Sequence, residues 1–226
     1  MRIVSLALAV VAVSAQLGAQ PPKSTPGAQT RVQEKSLRRE LLEMEKADQA
    51  ARTAMFKTLG EKGISLTSDK PITDPDAVAV ITEETQRLAK VDGVHLTRLK
   101  AIIEKHGWPG KTLVGEDGAQ AAWMLAQHAD ADTKFQEKCL KLMEAAPAGE
   151  VASTDLAYLT DRVLVSQKKA QKYGTQLGAD MVPLLIEDEK QVDQRRGALG
   201  LPPMAEYLKS TKAEYDKLLG KSSDKK

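Results

Sequence analysis

Residues 74–109 read DPDAVAVITEETQRLAKVDGVHLTRLKAIIEKHGWP. Within them Val78, Ile81, Thr85, Leu88, Asp92, His95, Leu99, Ile102 and His106 recur at steps of three and four, the spacing at which side chains share one face of a helix. Asp74 before Pro75 supplies a capping carboxylate and a first-turn proline. At the other end Gly107 can take the left-handed closing position and Pro109 cannot continue the helix, which predicts one long helix between them. Asp92 and His95 interrupt the apolar stripe at its middle. Gly93, between them, suits a bend or the close approach of another group.

The helical period extends to both sides. Upstream, Thr30 and Gln33 have the form of a capping box, and Leu37, Leu41, Met44, Asp48, Ala51 and Met55 predict an amphipathic first helix whose other face is charged and solvated. Gly60, Gly63 and Pro71 end it. Downstream, Asp117 with Gln120 caps a third helix, whose stripe runs through Ala121, Met124, His128, Asp132 or Ala131, Phe135, Cys139 and Leu142 to a stop at Pro147–Gly149. A fourth begins at Ser153 or Thr154, with Leu156, Leu159 and Val163 on one face and Asp161 flanking it.

After Gln171 the period changes. Residues 173–177 and 182–186 are short apolar or β-branched runs separated by Gly178-Ala179-Asp180, which predicts a small hairpin, with Pro183 keeping its second strand at an edge. Asp188 with Gln191 then caps a short helix ending at Gly200, and Pro202-Pro203 opens the last one. The expected fold class is mainly α, a helical bundle with a small β-hairpin near the C-terminal end, occupying residues 30–220 as one domain.

The composition is that of an ordinary globular protein: 226 residues, 42% apolar and 28% charged. Lys and Arg number 33 against 31 Asp and Glu, a formal charge of +2. That balance gives no basic footprint for nucleic acid or for an anionic membrane. The first residues read as a cleaved export signal, with Arg2, an apolar core from Ile3 to Val13, and small residues at Val13-Ser14-Ala15 or Leu17-Gly18-Ala19. The apolar run is shorter than the roughly 20 residues of a spanning helix. The expectation is a signal over residues 1–19, a flexible leader over 20–29, a mobile tail over 221–226, and a mature protein in the periplasm or outside the cell, not attached to a membrane. Cys139 is the single cysteine, and its place in the third stripe reads as a buried thiol.

Five segments in order, Gly107-Trp108-Pro109, Gln127-His128-Ala129-Asp130, Leu156-Ala157-Tyr158-Leu159-Thr160-Asp161-Arg162, Gln171-Lys172-Tyr173-Gly174-Thr175-Gln176 and Asp193-Gln194-Arg195-Arg196, carry a resemblance. Over about Val91 to Leu208 the chain resembles an uncharacterised bacterial domain-of-unknown-function family of the DUF 6624 type. The resemblance implies a mostly helical, often exported domain with no assigned activity.

Four readings of the polar residues follow. In a binding module, Trp108, Gln127, Tyr173, Thr175 and Gln176 surround a polar pocket centred on His128 that takes a small molecule. In a hydrolase, His128 is a general base oriented by Asp130, Asp132 or Asp161, and Arg162 binds an anionic group. In a metal site, Asp92 and His95 at i, i+3 face His128 and Asp132 at i, i+4 around a divalent ion; no cofactor is otherwise required. In a scaffold, the same His, Asp, Arg, Tyr and Gln residues satisfy one another, with Asp161–Arg162 as an ion pair. Neither a Gly-x-Ser-x-Gly elbow nor a Gly-rich phosphate loop is present, which leaves acyl transfer and nucleotide binding without their local signals. Small-ligand binding is the leading expectation, and no protein partner is indicated.

Overall fold

A computed structural model describes residues 32–67 and 71–220. The expected export signal, the leader and the tail at 221–226 lie outside the described residues, as does Thr30 of the proposed capping box. Seven α-helices are described: α1 (Lys35–Glu61), α2 (Pro75–His106), α3 (Lys111–Gln127), α4 (Thr133–Glu144), α5 (Ser153–Ser166), α6 (Val192–Ala198) and α7 (Met204–Leu218). One 3-10 turn, Glu189–Gln191, precedes α6. None of them is long and apolar enough to cross a membrane.

The helix at the centre is α3. Every residue from Ala121 to Ala129 is buried, the pattern of a helix surrounded on all sides by other elements. α1 lies along it and makes its largest contact there, with α2 against both; α5 packs on α4 and on α3. The main apolar cluster gathers Leu41, Leu99, Ile102, Trp123, Met143, Leu159 and Tyr207 around this centre. A second cluster joins the end of α1 to α7 and the start of α2, through Met55, Phe56, Leu59, Leu66, Ile81, Tyr215 and Leu219. Phe56 and Tyr215 meet edge to face at 5.9 Å.

α2 is continuous across its whole length, as the spacing predicts. Asp74 caps it by accepting from the backbone N–H of Asp76 at 2.9 Å, and Gly107 closes it at φ 70°. Gly93 neither breaks the helix nor admits a close neighbour: a Cβ there would meet nothing within 4 Å.

Two expectations are corrected. The third helix is not continuous to Leu142: it stops at Gln127, His128 closes it, and Asp132 opens α4 by accepting from the N–H of Phe135 at 3.0 Å. A capping carboxylate in mid-pattern offers the backbone another partner, and here that partner prevails over the apolar period.

The β-hairpin is the second correction. Among the described residues there is no strand, only two isolated bridges, Gln171 to Ile186 and Leu177 to Pro183. The reason lies in where the backbone donors go. The buried Asp161 carboxylate accepts from the N–H of Lys172 (2.7 Å), Tyr173 (3.1 Å) and Thr175 (2.9 Å). The Gln171 side chain accepts from the N–H of Gln176 and donates to the carbonyls of Gln176 and Leu184. Donors and acceptors that a ladder would need are spent on two side chains, so the segment folds as an anchored loop. The class is mainly α without the hairpin.

Candidate functional site

α1 passes from the main apolar cluster to the second through two residues one turn apart, Asp48 and Arg52. Both are buried, at 0% and 4% exposure. Buried charges must be paired, and these two are. The Arg52 guanidinium is 2.9 Å from Asp92 of α2 and 3.3 Å from Asp48, with its Nε 3.0 Å from Nδ1 of His128. That same Nδ1 lies 2.9 Å from the Asp48 carboxylate. Asp48 is held below the usual carboxylate range by the His128 hydrogen bond and the neighbouring positive charges, although burial works against it. Nδ1 of His128 is thus met by a donor, the Arg52 Nε–H, and by an acceptor, the Asp48 carboxylate.

Burial, joined by the Arg52 and Arg162 charges, pushes the His128 pKa down to about 4. The imidazole is neutral at ordinary pH. Its Nε2 is buried and has no hydrogen-bond partner. His95, one helical turn beyond Asp92, is 8% exposed and lowered chiefly by burial, and its Nδ1 is likewise without a partner.

A second group adjoins the first. Arg162 of α5 donates through Nε to Gln127 Oε1 at 2.8 Å and through Nη1 to both oxygens of Asp130, at 2.7 and 2.9 Å. Gln136 of α4 also donates to Asp130, and to the carbonyls of Ala126 and Gln127 that end α3. The bond from Arg162 fixes the orientation of the Gln127 amide, which leaves its Nε2 buried and unpaired. The two groups share one electrostatic neighbourhood: Arg162 acts on His128, and Asp130 acts on Asp92. Asp92, desolvated and near two other carboxylates, is pushed up to about 6 despite Arg52. The cluster reaches solvent at its rim, where the side chains of Asp92 and Asp130 are 22% and 30% exposed.

The predicted residues divide accordingly. His128, Gln127, Asp130, Arg162, Asp92 and His95 belong to this cluster. Asp132 does not: its carboxylate caps α4 and pairs with Lys100 at 2.6 Å. No group of three or more His, Cys, Asp or Glu among the described residues is placed to hold a metal ion, so the proposed quartet does not converge. Asp161 anchors the loop at 172–175 instead of orienting His128. Thr175 and Gln176 belong to that loop, where the Thr175 hydroxyl donates to Asp161 and Gln176 donates to Thr175. Trp108 and Tyr173 are partly buried against the main apolar cluster. A surface hollow of about 330 Å³ is lined by Glu34, Arg39, Glu40, Arg98 and Lys105, not by His128. Cys139 is fully buried, its thiol pushed up to about 12 by desolvation.

Sequence reasoning did not assign Asp48 and Arg52 to the site. The available signal was Asp48 itself, an acid in register with Met44 and Met55 on the buried stripe. Arg52 lies one helical turn further on.

No curated protein and no solved structure matches the chain. One family model does, over residues 35–219, and that span takes in all seven helices and with them every member of the polar cluster. The chain belongs to the family of unknown function DUF6624.

Proposed function

We propose that this domain is a binding module for a small polar ligand, taken up at the cluster of Asp48, Arg52, Asp92, Gln127, His128, Asp130 and Arg162, and that it works after export to the periplasm or the cell exterior. One observation carries the reading. His128 and Gln127, at 6% and 0% exposure, each keep a side-chain nitrogen without a partner. Such an atom costs about 1–3 kcal/mol in a folded interior. A core built only for stability would replace it, whereas a site holds it ready for a partner that arrives.

The geometry also contains a dyad, Asp48–His128, with a free Nε2, the arrangement of a general base. Its tuning opposes that use. Proton transfer is most efficient when the base has a pKa near the working pH, and this ring is held at about 4. Binding through a neutral, hydrogen-bonding imidazole needs no such match, so it is preferred to hydrolysis.

The test is His128→Asn, whose amide reaches the place of Nδ1 and keeps a polar partner there for Asp48 and Arg52 while deleting Nε2. A binding role predicts an unchanged or raised thermal midpoint together with the loss of small-molecule signals in saturation-transfer NMR. A midpoint lowered by several degrees, about 2–4 °C per kcal/mol at this size, with no ligand signal in the parent protein, would mean a structural scaffold and would overturn the reading.

A further inference from the structure

Among the described residues the exposed large apolar side chains are Val78, Val94, Val182, Leu184 and Leu185. Scattered singly, such residues are ordinary. Here three of them fall together in one loop. Leu177 bridges to Pro183 and Gln171 to Ile186, which holds residues 182–187 extended over about 17 Å. Leu185 is 76% exposed and Val182 55%. Directly after them come Glu187, Asp188, Glu189 and Lys190, all exposed, three acids against one lysine. None of these three acids is in an ion pair among the described residues. The neighbouring Arg195 guanidinium is spent on the carbonyls of Lys172, Glu187 and Asp188.

The complement of this surface lies on α2. One face of that helix packs on α1 and α3. Along its outward face runs an open groove of about 800 Å³, lined by Ala89, Gly93, Val94 and Ala101 together with Lys90 and Arg98. Val94 is 69% exposed, and the charged residues of the groove are both cations. Arg98 pairs with Glu40, whereas Lys90 is in no ion pair. At a rise of about 1.5 Å per residue the groove spans about 18 Å from Ala89 to Ala101, close to the length of the extended loop. Glycine inside a helix costs up to about 1 kcal/mol against alanine, and no part of this chain comes near the space that Gly93 leaves open. A glycine so placed suits the approach of another backbone.

The two surfaces match in polarity, in length and in opposite charge, and one molecule carries both. We propose that copies of this chain associate head to tail, residues 182–187 of one lying in the α2 groove of the next, with Leu185 against Val94 and the acids that follow it near Lys90. Each copy then has one site that gives and one that receives, so the assembly closes into a ring or grows as a chain. One short segment in one groove buries less than the roughly 1,000 Å² of a stable interface, so the association is weak and sensitive to salt. The contact uses no residue of the polar cluster.

Sedimentation velocity of the mature protein from about 10 µM to about 1 mM reads this association. The expected result is a sedimentation coefficient that rises with concentration at low ionic strength and returns to the monomer value in about 0.5 M salt. Val94→Glu blocks the groove with a charge that repels the acidic loop, and Leu185→Asn removes the apolar anchor. Each variant alone should stay monomeric. An equimolar mixture should form pairs, because one variant keeps an intact loop and the other an intact groove. Both side chains are exposed, so the thermal midpoints should equal that of the parent; Lys90→Glu and Leu184→Asn take their places where they do not. A parent protein that is monomeric throughout, an association that survives either variant, or a mixture that stays monomeric while the parent associates would overturn the proposal.

Discussion

His128 is the residue at which burial, protonation and the proposed binding role meet. Its pKa falls from an ordinary value near 6.5 to about 4 on folding, so between these values the unfolded chain binds the extra proton and acidification works against the fold. Asp92 and Asp155 have the opposite sign. Burial raises them to about 6 and about 7, so the folded state holds their protons over a range where the unfolded chain has released them. Their contribution declines as pH rises through those values. Two raised acids against one lowered histidine predict maximal stability on the acid side of neutrality. Asp155→Asn should flatten the decline and stabilise the domain at mildly alkaline pH by on the order of 2–4 kcal/mol, measured as denaturation midpoint against pH. An unchanged profile would refute the placement of Asp155 as a buried, weakly compensated acid. In the sequence, His128 is legible as a core-facing histidine, because the stripe through Met124 and Phe135 contains it. Its partner is not. Period places a residue on a face and says nothing of which faces of different helices meet, so Asp48 and Arg52 stay with the first helix until the packing is known. The expected Asp161–Arg162 ion pair has a simpler flaw: adjacent residues on a helix diverge, and these two serve different partners.

At the scale of elements, the segment after α5 is organised by a side chain. Asp161 gathers three amide N–H groups and one hydroxyl, and Tyr207 of α7 donates to the carbonyl of Thr175 at 2.7 Å to hold the same loop from the other side. Asp161→Ala therefore leaves several donors unpaired. The expected cost is on the order of 3 kcal/mol, with a selective gain in hydrogen exchange at the amides of residues 172, 173 and 175. Uniform exchange across the molecule, or none at these amides, would contradict the anchoring role. Short β-branched runs around a Gly-rich turn predict a hairpin because they match a local composition. They carry no record of an acid one helix earlier that competes for the same donors. The helices fared better because each period is a local property, and the break between α3 and α4 was missed where a cap overrode it.

The whole molecule is closed by α7 against α1. At Gly60 the backbones approach so closely that a Cβ would lie 2.5 Å from the carbonyl oxygen of Leu219. Alanine inside a helix ordinarily gains up to about 1 kcal/mol over glycine. Here a backbone atom must move instead, so Gly60→Ala should destabilise, by about 1–3 kcal/mol, and lower the thermal midpoint. A raised midpoint would show that α7 yields freely. The glycine is visible in the sequence only as a helix breaker, because its real neighbour lies 159 positions away in the chain, at Leu219.

The same closure sets an order of events. The hydroxyl of Tyr215 accepts from the N–H of Leu66 at 2.7 Å, and Met55, Phe56 and Leu59 share their apolar cluster with Tyr215 and Leu219. A ribosome that has delivered everything up to Leu201 has therefore made a chain whose second cluster still lacks Tyr215 and Leu219. Such a chain remains open to chaperones and proteases, and to any translocation apparatus that handles unfolded polypeptide, until α7 emerges.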